Sequence, residues 1–164
     1  MELLSELRKE YDQEYKITRN FFEKYPEGKN HYKPHDKSME MMPLAQHIAE
    51  VFGWPAFILK TDGIDFAEGG ERPKFENKDD LLKSLDESYQ ANKEALQNVT
   101  IEEMEPTWAL KMSGQVLASW TKYEAIRHAL NQATHHRAQL GVYYRLNDIP
   151  LPSSYGPSAD DQSF

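Results

Sequence analysis

The chain contains no cysteine. That excludes a disulfide framework, a thiolate metal ligand and a thiol nucleophile, so any thiol chemistry needs a thiol carried in by a substrate or cofactor. No apolar run approaches the ~20 residues that cross a bilayer, and a membrane partner is not expected. Positive charge is in deficit, 19 Lys and Arg against 27 Asp and Glu, for a formal net charge of −8. The cations are interspersed with acids rather than gathered into a patch. Phosphate backbones are repelled by such a surface, and no nucleic-acid partner is expected. The opening residues, Met1-Glu2-Leu3-Leu4-Ser5-Glu6-Leu7-Arg8-Lys9-Glu10, lack the basic start and apolar centre of a secretory signal. A cytoplasmic location is the expectation. There is no internal repeat or low-complexity tract, and residues 1–164 suit a single domain.

What is present is helical periodicity. Over roughly residues 3–25, Leu4, Leu7, Tyr11, Tyr15, Thr18, Phe22 and Tyr25 recur three or four apart and share one face, until Pro26-Glu27-Gly28 stops the pattern. A second segment runs from about Pro43 to Lys60 with Leu44, Ile48, Val51 and Ile58 as its stripe. Pro55 removes a backbone donor there and should bend or split the helix near Val51. Residues 62–76 form a polar, glycine-bearing connection. A third segment starts near Asn77, a good N-cap with Asp79 and Asp80 in the first turn, and carries Leu81, Leu82, Leu85, Tyr89, Leu96 and Val99. Residues 100–120 are either two short extended pieces around Ser113-Gly114 or an irregular loop. The fourth segment, about Lys122 to Leu146, places Tyr123, Ile126, Leu130, Ala133, Arg137, Leu140 and Tyr144 on one stripe. Beyond it, Pro150, Pro152, Gly156 and Pro157 forbid a helix, and the tail is expected to pack as an extended strap. The fold class that follows is all-α, a four-helix bundle with a long crossover between its second and third helices.

The chemistry concentrates in Thr134-His135-His136-Arg137-Ala138-Gln139 and in His47 on the second helix. Residues four apart stack on a helix, so His128, Gln132 and His136 form one column, while His135 points about 100° away. His128 stands two turns, ~12 Å, from His136, too far to share an ion. His47, His136 and Gln132 therefore remain as a candidate metal set. An amide oxygen is a weak ligand for zinc or nickel. The residues alone leave two readings open, a metal site or buried polar groups hydrogen-bonded to one another. His31 and His35 fall in a polar loop, and His128 reads as a core-edge residue. Arg137 lies on the apolar stripe and must be paired, with Asp62, Asp65, Asp160 and Asp161 as candidates. Trp54, Trp108 and Trp120, with Tyr143, Tyr144 and Tyr155, read mainly as core or interface fillers.

Taken together, Leu44-Ala45-Gln46-His47-Ile48-Ala49-Glu50, Gly53-Trp54, Thr134-His135-His136-Arg137-Ala138-Gln139-Leu140, Tyr143-Tyr144-Arg145-Leu146 and Tyr155-Gly156-Pro157-Ser158-Ala159-Asp160-Asp161 resemble the DinB superfamily, in the branch with a YGPSAD-type tail. The resemblance spans about residues 1–161. It implies a four-helix bundle and a divalent metal, zinc or nickel, held by one histidine on the second helix and two on the last. Matched residue by residue, these fall on His47, on His136, and on Gln132, where Asn131-Gln132 stands in place of the family's Asn-His. Two functions follow as expectations. One is a metal-dependent enzyme of the thiol-transferase type. The other is a non-catalytic small-molecule-binding or dimeric stress-related bundle that has lost its metal. A homodimer is expected in either case.

Overall fold

A computed structural model describes residues 2–69 and 73–163. Helix α1, Leu3–Glu23, buries Leu4, Leu7, Tyr11, Ile17, Phe21 and Phe22 along one face. Helix α2, Met41–Phe52, is followed without a loop by α3, Trp54–Lys60. The expected break falls at Gly53, where a Cβ would sit 2.9 Å from Ser88 Oγ, and Pro55 occupies the first turn of α3, where its missing donor is harmless. Helix α4, Lys78–Asn98, starts at the Asn77 cap, whose Oδ1 accepts from Asp80 N at 3.0 Å. Helix α5, Lys122–Arg145, opens on a capping box formed by Thr121 and Glu124. Helices α1 and α2 each pack against α4 and α5, and α3 lies on the same pair. Among the described residues no helix is long and apolar enough to cross a membrane.

The all-α expectation needs correction, because five helices share the chain with a three-stranded sheet. Strand β1, Gly63–Asp65, lies in the crossover and pairs in parallel with β2, Thr107–Met112, which pairs antiparallel with β3, Gln115–Thr121. The hairpin turns through Ser113 (φ 51°) and Gly114 (φ 79°), the pair of positive φ values that lets a two-residue loop match strand twist. Asp65 ties the crossover to that turn. Its carboxylate accepts from Ser113 N at 2.9 Å and Gly114 N at 2.6 Å, and these bonds hold its pKa below the ordinary value. Gly63 permits the parallel pairing, since a Cβ there would stand 2.3 Å from the Ala109 carbonyl oxygen. Of the two alternatives for residues 100–120, the extended pair is the one that forms. Trp108 on β2 is fully buried, and its indole N–H donates to Thr61 Oγ1 at 3.0 Å.

The tail, residues 149–163, has no helix or strand and is pinned by its own motif. Asp160 pairs with Arg145 at 2.6 Å and accepts from Leu151 N, Asp161 accepts from Ser153 N, and Ser158 Oγ donates to Leu151 O at 2.7 Å. These bonds depress both aspartates below the usual carboxylate range. Arg137, buried at 2% exposure, finds none of the four expected aspartates. Its partner is Glu14 of α1, whose Oε2 accepts from Nη2 at 2.7 Å, with Thr18 Oγ1 and the Tyr155 hydroxyl accepting at 2.7 and 2.6 Å. Tyr155 then donates to Glu14 Oε1 at 2.6 Å. One buried ion pair thus ties α1, α5 and the tail together at Tyr155.

Candidate functional site

Packing of α2 on α5 brings His47 and His136 together, with ring centroids 4.7 Å apart in an edge-to-face contact. The buried Leu44 and Ile48 on α2 and Ala133 and Leu140 on α5 set the approach, leaving both imidazoles half-buried at the margin of the core. His136 Nδ1 lies 2.9 Å from Gln139 Oε1, and the other end of the same amide, Nε2, reaches His135 Nε2 at 3.1 Å. With the amide in this orientation His136 carries its proton on Nδ1 and keeps a lone pair on Nε2. Burial lowers the His136 pKa below its ordinary value. The Gln139 bond opposes that shift, and the neighbouring His47 and His135 add to it.

A cleft of about 520 Å³ opens beside His47. Val51 of α2, Trp54 of α3, Ile64 of β1, Phe66 and Leu110 of β2 give it apolar walls. Ile64 and Leu110 are direct register partners, so they stand side by side on one face of the sheet. The polar groups are His47, Glu50, His128 and Gln132. His128 is stacked on Trp120 at 4.6 Å between centroids, and Gln132 Nε2 reaches its Nε2 at 3.4 Å. Glu50 stands 3.9 Å from His47 Nδ1 and accepts from Gln46 Nε2 at 2.9 Å. His47 and Glu50 also border a second cleft of about 720 Å³, lined further by Met42, Gln46 and Phe75.

The candidate set is therefore split. His47 and His136 meet, whereas Gln132 is turned to His128 in the cleft wall. His135 is exposed beside His136, and His31 and His35 are exposed in the loop before α2, His31 next to Glu40 at 2.8 Å. Glu50, Ile64, Phe66 and Leu110 were not anticipated. Glu50 had a signal, one turn beyond His47 on the same helix. The other three had none, because their role depends on a strand in the crossover.

A resident ion can be tested against this donor chemistry. Two imidazoles are in contact, but the third place holds a neutral amide engaged elsewhere. Among the described residues no three His, Asp or Glu side chains gather closely enough to hold an ion. The donors do not fit a closed three-imidazole centre.

Five helices with a small three-stranded sheet, a contact between His47 and His136, and a cleft beside His47 define the class of molecule. The DinB family profile matches residues 1–162, and the chain belongs to the DinB family. Two crystal structures have the same fold. A DinB-like protein from Bacillus subtilis is 20% identical, with a TM-score of 0.67 over 88% of this chain and 96% of that one. A DinB-like protein from Bacillus cereus is 15% identical, with a TM-score of 0.69 over 90% of this chain and 94% of that one. No curated protein gives a significant match.

Proposed function

We propose that the chain is a small-molecule-binding member of the DinB family that uses the cleft between α2, α3, α5 and the sheet, and that it does so without a resident metal. In this reading α1, α2, α4 and α5 act as one four-helix bundle that α3 and the sheet cover at the cleft end. The observation that carries the reading is Gln132. It stands where the family places an imidazole, and its amide is joined to His128, itself stacked on Trp120. The two side chains of that wall are joined to each other, and the remaining lining has the mostly apolar, sparsely polar make-up of an organic-ligand site.

The rival reading is a metal-dependent thiol transferase holding zinc or nickel through His47, His136 and a weak Gln132. The contact between the two imidazoles favours it. One substitution separates them. Gln132→His should confer tight zinc or nickel binding, seen as a metal-induced rise in melting temperature that the parent lacks. Parent protein purified without a histidine tag and carrying a full equivalent of zinc or nickel overturns the metal-free reading. A homodimer burying the area of a standard interface goes with either reading, and sedimentation showing only the 19.1 kDa monomer removes it.

A further inference from the structure

We infer that the free edge of β3 is a docking strand for a second copy of this chain, with a two-fold axis passing at Ser119. The inference goes beyond the ligand reading above and needs neither a ligand nor a metal. The strand order is β1-β2-β3, so β3 has a neighbouring strand on one side alone. The direction of its backbone groups follows from β2. Ala109 N donates to Asp62 O at 3.0 Å, across the β1 side of β2. The N–H and C=O of Ala109 therefore point away from β3, and Ala109 forms a non-hydrogen-bonded pair with its register partner Ser119. The Ser119 N–H and C=O accordingly point out of the sheet edge. Among the described residues no other group bonds them.

The backbone on either side of Ser119 is occupied or irregular. Thr121 N donates to Glu124 Oε2 at 2.8 Å in the cap of α5. Toward the turn, Leu110 pairs with Ala118 but Lys111 pairs with Val116, so Leu117 is a bulged residue that breaks the edge. A long foreign strand laid along β3 would meet this interruption at both ends of its ladder. Two copies need only one regular residue each. Around a two-fold axis each Ser119 N–H meets the Ser119 C=O of the other copy, and the reciprocal pair is complete. Composition points the same way. Gln115-Val116-Leu117-Ala118-Ser119-Trp120-Thr121 holds no charge and no proline, the usual guards of an exposed edge, in a chain of net charge −8. Two acidic copies can approach there without setting like charges opposite one another. In this register Ala118 stands opposite Trp120 of the second copy, a small side chain against a large one, on both sides of the axis. Met112, Val116 and Leu117 of the same hairpin are 44%, 53% and 56% exposed and supply apolar area for the contact to cover. The interface falls at the small end of specific ones, so association should depend on concentration.

The chain has no cysteine, so Ser119→Cys introduces a single thiol. Hydrogen-bonded partners across an antiparallel pair have Cα atoms ~5.5 Å apart, within reach of a disulfide. Under mild oxidation Ser119→Cys should give a disulfide-linked dimer at least about tenfold faster than Val142→Cys, an exposed site on α5, because docking raises the effective thiol concentration. Sedimentation of the untagged parent should show the mass doubling as concentration rises. Ser119→Pro removes the outward N–H and spares the β2 ladder, and Ser119→Lys sets two like charges at the axis. Each should weaken association about tenfold or more while the melting transition stays cooperative. Ser119→Lys serves alone if Ser119→Pro fails to fold. Parent that stays monomeric at every concentration overturns the inference and leaves this edge to a strand of another protein. A dimer that the folded variants leave intact overturns it as well, since the interface then lies elsewhere. Equal cross-linking of the two cysteine variants has the same consequence.

Discussion

His136 and Arg137 are consecutive on α5 and face different worlds. Arg137 turns to α1, where Glu14, Thr18 and Tyr155 use its guanidinium in a buried network. His136 turns to α2, where it meets another imidazole at the edge of solvent-accessible space. Each polar group on the Arg137 side is committed, and among the described residues no buried side-chain donor or acceptor is left without a partner. The His136 side keeps spare lone pairs. The difference separates architecture from chemistry: a charge that is fully hydrogen-bonded has nothing left to offer a ligand, whereas a half-buried neutral imidazole does.

The strongest way to break the comparison is to leave the architectural side half-made. Glu14→Ala strands a buried guanidinium and should lower unfolding free energy by about 3–5 kcal/mol, measured by urea titration. Removing both charges, as Glu14→Leu with Arg137→Met, should recover much of that loss, because the desolvation penalty disappears with the pair. A loss under ~1 kcal/mol for the single variant would move this network into the class of exposed, weak ion pairs.

On the other side, the largest effect should come from Gly63→Ala. The new methyl group meets the Ala109 carbonyl oxygen, a backbone atom that cannot swing away. The strand must shift, at about 1–3 kcal/mol, and Ile64 leaves its place beside Leu110. Ligand binding in the cleft should fall more than stability does. Equal loss of both would mean the sheet only holds the fold together.

These two sides were unequally legible in the sequence. The helices were, since their stripes are local and their starts carry caps such as Asn77 and Thr121. The column of His128 and Gln132 was too, because four-residue spacing alone brings them together. The sheet was not. Strand β1 has three residues and exists through pairing with a segment more than forty residues away, while β3 exposes both Val116 and Leu117 and shows no clean alternation. The Arg137 partner was missed for a related reason. Four aspartates were candidates, yet Asp160 is taken by Arg145, eight residues further along α5, and the true partner lies on α1. Demand for a counter-charge can be read from one residue, but its source depends on helix packing.

The tail offers a milder test of the same contrast. Tyr155→Phe keeps the ring and removes a hydroxyl that bridges Glu14 and Arg137, so a loss of about 1–2 kcal/mol is expected. Burial, followed by the Glu14 bond, raises the Tyr155 pKa above its ordinary 10.0, and burial raises Tyr11 and Tyr144 as well. These phenols stay neutral in the fold after the unfolded chain has begun to ionise. Their contribution is therefore full below pH 10.0 and is lost as pH climbs through the raised values. Alkaline unfolding of Tyr155→Phe should be less steep than that of the parent.

The smallest effect belongs to His136. Its pKa lies below the ordinary 6.5, chiefly through burial, so the fold prefers the neutral ring. Above pH 6.5 both states are neutral and the contribution is whole. As pH falls below 6.5 the unfolded chain binds a proton first, and stability declines until the lowered value is passed. Proton NMR of the ring should show a depressed midpoint. His135→Ala should raise it by removing a like charge, and Gln139→Ala should lower it further by removing the bond that favours protonation. Neither change should restore the ordinary value, because burial against α2 remains. A midpoint at or above 6.5 in the parent would put His136 among partners that stabilise its charge, and its difference from Arg137 would then be one of degree alone.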